Sequence, residues 1–299
     1  MASLGRAAGS LATAAGRGGI RAVGMSNAGH RPLPELLLIG TKRGGTTSMF
    51  FHLLRHSQVV PLFPRPERLP KATFTKGVHF FDANHVRGER WYRSHFPSER
   101  VRRATEARLG LPVVTGEASP YYLFHPLAAG RAAALVPDAK LVALLRDPVE
   151  RTFSHWKERR RAGAEPLGFA DALAAEDDRI GAAGAALADG SLRSSYAHEQ
   201  QSYARQSEYA TSLSRWLAHY PAEQLLVVTT EDYVRDSQSV IDETAAFLGL
   251  RRELLPDAER RNATAPADLP VAARRALEAR FAPHNSRLEQ LVGRPLSWS

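Results

Sequence analysis

Chemistry in this sequence concentrates first in a basic, glycine-rich stretch, Gly40-Thr41-Lys42-Arg43-Gly44-Gly45-Thr46-Thr47-Ser48. Glycines at these spacings allow a tight turn whose backbone N–H groups face one point. Such a turn running into a helix N-terminus is a seat for phosphate or sulfate oxygens. Lys42 and Arg43 add charge, and the hydroxyls of Thr46, Thr47 and Ser48 add donors. The spacing Gly40-x4-Gly45 is that of the first half of a nucleotide phosphate loop, G-x-x-x-x-G-K-[ST]. The second half differs: Thr46 stands where a nucleoside triphosphatase needs lysine, and the cations precede the glycine turn.

A second basic element is Arg146-Asp147-Pro148, at the end of an apolar run, with Ser154 further along the following segment. Arginine at the carboxyl end of a strand lies where α/β sheets bind ligands. Its planar guanidinium suits a terminal phosphate through paired hydrogen bonds.

The elements that must position these residues alternate along the chain. Short apolar runs at 35–40, 77–82, 112–123, 139–148 and 225–233 read as five strands. Amphipathic stretches through about His56, over 149–163, over 209–220 and over 239–250 read as helices, the last ending near Gly249. Residues 90–96 open or lie on a further helix, 171–190 is a helix interrupted by glycines, and 61–76 is a Pro-rich basic loop. Alternating strands and helices predict an α/β fold of three layers, a central and mostly parallel sheet flanked by helices, P-loop-like in form. Trp216 and Leu217 are expected in the core, whereas Tyr203 and Tyr209 are candidates to face a site. Residues 1–34 carry four arginines and no acid after the start, and predict a disordered basic tail before a single domain at 35–299. An Arg-rich, acid-free start is also the form of an organellar transit peptide.

Composition supports a globular protein of 299 residues without cysteine, which excludes a thiol nucleophile and a disulfide scaffold. Lysine plus arginine numbers 40 against 31 acids, a formal charge of +9, and only five of these cations are lysine. No run approaches the ~18 apolar residues of a membrane span. A polyanion-binding protein with no catalysis would account for the charge but not for the two phosphate elements.

The stretch 41–48 resembles the 5′-phosphosulfate loop of sulfotransferases that use 3′-phosphoadenosine 5′-phosphosulfate (PAPS), and is most similar to the heparan-sulfate-type and bacterial carbohydrate enzymes. Arg146 and Ser154 resemble the family's 3′-phosphate element. Residues 76–82 resemble its Lys-Glu-x-His-Phe-Phe segment, 262–266 weakly resemble a loop over the nucleotide, and 291–298 resemble its C-terminal end. The resemblance implies PAPS as donor and its desulfated product PAP. It puts Lys42, Arg43, Gly44, Gly45, Thr46, Thr47, Ser48, Arg146 and Ser154 on the nucleotide. Arg43 takes the position where lysine is usual.

Sulfuryl transfer asks for cations at the leaving group and a base for the acceptor proton. Lys42 and Arg43 meet the first need, and the absence of a carboxylate cluster predicts no metal. The family's usual glutamate falls at Gly77, so His79 is the first candidate base, with Asp82 and Glu117 as the others. Lys76 and Tyr209 are candidate substrate contacts. The acceptor implied is a hydroxyl or amine of a saccharide or glycoconjugate, not nucleic acid, and the expected location is the cytoplasm of a bacterial-type cell. Oligomeric state stays open. A P-loop kinase or NTPase is the alternative, with Thr46 against it.

Overall fold

The computed structural model describes residues 19–64, 76–257, 268–296 and 298. Five strands form one sheet in the order β2-β3-β1-β4-β5. They are β1 (Leu36–Gly40), β2 (Val59–Val60), β3 (Val114–Ala118), β4 (Lys140–Leu145) and β5 (Leu225–Thr229). Every pairing is parallel, so all carboxyl ends share one edge. Chain order reverses at β1, with β3 on one side and β4 on the other, and a crevice opens where the two directions part.

The two-residue alternation of strand side chains separates two apolar clusters. Leu36, Leu38, Val142 and Leu144 pack against the helices Thr46–Leu53 and Ser237–Leu248. Leu37, Ile39, Leu141, Ala143 and Leu145 pack on the opposite face, against the helices Ala128–Leu135, Tyr209–Leu217 and Val271–Val292. This is the three-layer α/β arrangement that the alternation of elements predicts, with the central strands buried on both faces.

Several elements differ from the sequence reading. Residues 77–82 are not a strand: 77–79 are irregular, and Phe80–Asn84 form a π-helical turn. Both sides of β3 are already paired, with β1 and β2, and burying the adjacent Phe80 and Phe81 together needs a turn rather than alternation. The missed strand is β2, two residues long and too short for a pattern. The run 225–233 is strand only to Thr229, whose hydroxyl accepts from the Asp232 N–H and starts the helix Thr230–Arg235. The loop helix ends at Leu53, before His56. The glycine-interrupted stretch is two helices, Phe169–Ala174 and Glu176–Ala188. Trp216 is in the core as expected, while Leu217 is half-buried.

The expected free tail is described from residue 19, and there it is docked. Residues 19–26 are helical, Arg21 donates to the Ser94 carbonyl at 2.6 Å, and buried Arg31 donates to the Phe96 carbonyl and lies over the Phe63 ring. Arginine stems cover apolar surface as well as carrying charge, which a count of charges does not show. Among the described residues no helix is long and apolar enough to cross a membrane.

Candidate functional site

The carboxyl ends of β1, β4 and β5 border a cleft of about 1130 Å³. Its floor is the loop after β1. Arg43 and Gly45 both take positive φ, 68° and 85°, and Gly45 caps the helix Thr46–Leu53. A Cβ on Gly44 would lie 2.7 Å from the Leu144 carbonyl, so only glycine lets the loop lie this close to β4. Thr230 at the end of β5 closes the seam, its hydroxyl lying 2.7 Å from the Gly44 carbonyl and 2.8 Å from that of Leu145. Thr46, Thr47 and Ser48 therefore face the cleft from the first turn of a helix, whose partial positive charge points the same way.

The second basic element arrives in the same place. Asp147 caps the helix Pro148–Arg161 by accepting from the N–H groups of Val149 and Glu150, with Pro148 in its first turn. This turn leaves Arg146 at the strand end and Ser154 on the cleft side of the helix. Arg43 Nε donates to Ser154 Oγ at 3.3 Å, and Arg146 Nη1 donates to the Arg43 carbonyl at 3.5 Å. Lys42, Arg43, Arg146, Lys157 and Arg159 all line the cleft. Burial lowers the pKa of Lys42 to about 8, opposed by the charge of Glu199. A cation held partly desolvated without a full counter-charge is one that an entering anion would stabilise. The cleft thus combines converging cations, hydroxyl donors, a helix N-terminus and a glycine cradle, which together fit a nucleotide bearing two anionic ends.

The segment 76–84 lines the cleft through Lys76 alone, and His79 is not among the cleft-lining residues. Lys76 Nζ donates to Thr46 Oγ1 at 2.5 Å, and burial lowers its pKa to about 7. His79 takes φ 52°, and its Nδ1 lies 2.8 Å from Asp82 Oδ2. That contact assigns the proton to Nδ1 in the neutral ring, whose side chain is 42% accessible. Desolvation pulls the His79 pKa down, but the hydrogen bond and charge of Asp82 outweigh it, and the net direction is up.

The same segment is tied to β3. Val78 N–H donates to Glu117, His79 N–H to Ser119 Oγ, and Phe80 N–H to the Tyr122 hydroxyl. Glu117 also receives Ser119, Tyr92 and Tyr122, so the carboxylate is fully enclosed, and burial pushes its pKa up. A Cβ at Gly77 would come within 2.4 Å of the Ala118 carbonyl and 2.5 Å of Ser119 Oγ. The β3 backbone therefore fills the position where the resemblance leads one to look for glutamate.

Four candidates from the sequence need correcting. Glu117 faces no acceptor, because four donors enclose it behind the segment. Asp82 is buried, with its carboxylate against His79 Nδ1, and is not placed to touch a substrate. Tyr209 is buried too, and its hydroxyl donates to the Arg146 carbonyl at 2.8 Å, which braces the strand end. Tyr203 is likewise interior, bonded to Glu165 at 2.7 Å. Sequence reasoning missed Lys157, Arg159, Gln200 and Thr230 as cleft residues. Lys157 had a signal, being a rare lysine one helical turn beyond Ser154. Gln200 had none, since it comes from an irregular region. Residues 262–266 lie outside the described residues.

Comparisons with known proteins agree on the class. A family model described as "Sulfotransferase domain" matches residues 33–265. The chain is 30% identical over 225 residues to a bifunctional heparan sulfate N-deacetylase/N-sulfotransferase of Drosophila melanogaster, covering 73% of this chain and 20% of that protein. It is 28% identical to human heparan sulfate glucosamine 3-O-sulfotransferase 3B1, covering 76% of this chain and 49% of the relative. The match thus spans about a fifth to a half of these relatives' own lengths. Among solved structures, a sulfotransferase from Alicyclobacillus acidocaldarius is similar at 26% identity and TM-score 0.62, covering 89% of this chain and 98% of that one. These matches do not favour the kinase alternative, and Thr46 in the place of a phosphate-loop lysine fits that outcome. With both phosphate elements on one cleft and the family model spanning most of the chain, this protein belongs to the sulfotransferase-domain family.

Proposed function

We propose that this protein transfers a sulfuryl group from PAPS to a hydroxyl or amine of a saccharide, with heparan-sulfate-type chains as the first class of acceptor. The observation that carries the reading is the contact between the two basic elements, Arg43 on Ser154 and Arg146 on the Arg43 carbonyl. The names of the relatives support the acceptor class.

The donor supplies an activated sulfuryl group on a nucleotide phosphate, and the residues divide the remaining work. The loop from Gly44 to Ser48 holds the 5′ end, and Arg146 with Ser154 holds the 3′-phosphate. Lys42 and Arg43 offset charge on the leaving side, where fixed donors in a shielded cleft are worth most. His79 Nε2 takes the acceptor proton, and Asp82 keeps Nδ1 protonated and offsets the imidazolium charge that results. Lys76, beside Thr46, stands where the loop meets the acceptor and contacts the sulfonate. No residue in this division of labour calls on a metal.

Calorimetry with PAP in EDTA tests the reading. Micromolar or tighter binding is expected, with ATP binding no better when magnesium is added. Tight ATP binding only with magnesium would return the kinase reading. Transfer of labelled sulfate from PAPS to heparan sulfate oligosaccharides then tests the acceptor class.

A further inference from the structure

The division of labour above leaves the acceptor side with one polarised histidine and no accessible carboxylate on its own segment. The two carboxylates nearest to His79 are both engaged. Asp82 accepts from His79 and from the Ala83 N–H, and Glu117 is enclosed by four donors. Position 77 is closed by the β3 backbone.

A third carboxylate comes to the loop after β1 from a distant part of the chain. The short helix Tyr196–Gln200 is capped by Ser195 and lies against the donor loop. Gln206 Nε2 donates to the Glu199 carbonyl at 2.8 Å and fixes that end of the helix. Lys42 Nζ donates to Gln200 Oε1 at 2.6 Å and lies 3.4 Å from Glu199 Oε1. The Glu199 side chain keeps a third of its surface in contact with solvent. His198, the preceding residue on the same helix, has its Nδ1 2.7 Å from the Tyr121 hydroxyl, in the turn after β3 whose Ser119 and Tyr122 also hold residues 79 and 80. The helix of Glu199 thus touches the loop of Lys42 at one point and the turn that holds the His79 segment at another.

A single ammonium cannot serve this carboxylate and an incoming phosphosulfate equally. The ligand brings more charge into the cleft, and the Lys42–Glu199 pair is partly exposed and therefore weak. Resting on the donor site described above, we propose that Glu199 is the acceptor-side carboxylate of this protein: it pairs with Lys42 before the donor binds, then turns to accept a hydrogen bond from the acceptor hydroxyl or amine. No bond is made or broken at Glu199. It orients the nucleophile toward His79 and offsets the charge His79 gains.

The test compares wild type, Glu199→Gln, Lys42→Met and the double variant, with PAP binding by calorimetry and labelled sulfate transfer to heparan sulfate oligosaccharides as readouts. Glu199→Gln should bind PAP about two- to fivefold more tightly, because a competing partner of Lys42 is gone. Its turnover should fall about 10- to 100-fold, as expected for loss of an orienting and charge-balancing group. The double variant should turn over more slowly than Lys42→Met, because Glu199 acts beyond its pairing with Lys42. PAP affinity in Glu199→Gln that is unchanged or weaker overturns the proposal, and so does a double variant no slower than Lys42→Met. If wild type binds no PAP, the donor reading has failed and this proposal falls with it. If wild type binds PAP but transfers nothing to these oligosaccharides, the acceptor class is wrong, and the affinity comparison alone decides on Glu199.

Discussion

The loop proposed for the donor, residues 40–48, and the segment proposed for the acceptor side, residues 76–84, meet where Lys76 reaches the Thr46 hydroxyl, yet they are built differently. The loop is held mainly by its neighbours in the fold. Its glycines let it lie against β4, its end is the start of a helix, and Thr230 closes the seam. The segment has no ladder of its own. Beyond the Ala118 N–H that donates to the Lys76 carbonyl, it hangs on side chains of β3 and of the turn after it, Glu117, Ser119 and Tyr122. A cradle made of backbone tolerates change in the surrounding side chains, whereas a histidine hung on side chains depends on every one of them.

The largest effect should sharpen this contrast. His79→Ala should lower turnover by about 10²–10⁴-fold, the usual worth of a general base, while PAP affinity stays near wild type. A variant that keeps its activity would take the base away from His79. Arg43→Ala should cost about 10²–10³-fold in turnover, the range for losing one fixed donor at developing charge, and Lys42→Ala less. Equal losses would break the assignment of Arg43 as the principal leaving-group cation.

Next in size is affinity. Arg146→Ala should weaken PAP by about 1.5–3 kcal/mol, as for hydrogen bonds to charged groups. An unchanged dissociation constant in calorimetry would move the 3′-phosphate elsewhere. Gly77→Ala tests the segment instead. Its new methyl meets the Ala118 carbonyl, and overpacking of this kind costs about 1–3 kcal/mol in a denaturant melt. A melt that does not move would mean that the segment shifts freely, contrary to the tethers that define it.

The smallest effect concerns protons. Lys42 and Lys76 are lowered to about 8 and about 7, chiefly by burial. An anion favours their charged forms, so PAP binding at pH 8 should take up protons, and affinity should fall as pH rises through this window. Calorimetry in buffers of different ionisation enthalpy measures that uptake. It should vanish in the Lys42→Met, Lys76→Met double variant, and its persistence would place the titrating groups outside the loop contact.

How far the sequence reaches follows the same division. The two basic elements were legible as cleft-bordering turns because each is a strand end, a turn and a helix start in one stretch of chain. Glycine spacing and the Asp147-Pro148 turn carry that information locally. The segment 76–84 was misread as a strand because two adjacent phenylalanines look the same in a strand or a turn until their neighbours are known. The helical docking of residues 19–26 was missed because composition does not record that Arg21 and Arg31 have carbonyls to reach.

By itself, the sequence determined the strand cores, the glycine-rich loop after β1 and the kind of cation available there, since backbone freedom, alternation of apolar residues and helix caps act between near neighbours. Tertiary structure decided which polar groups are accessible. Glu117 and Tyr209 were candidates until burial removed them, Asp82 became the partner of His79, and Lys42 met Glu199 from 157 residues away. Accessibility and charge depend on what packs alongside, and only the folded chain brings those segments together.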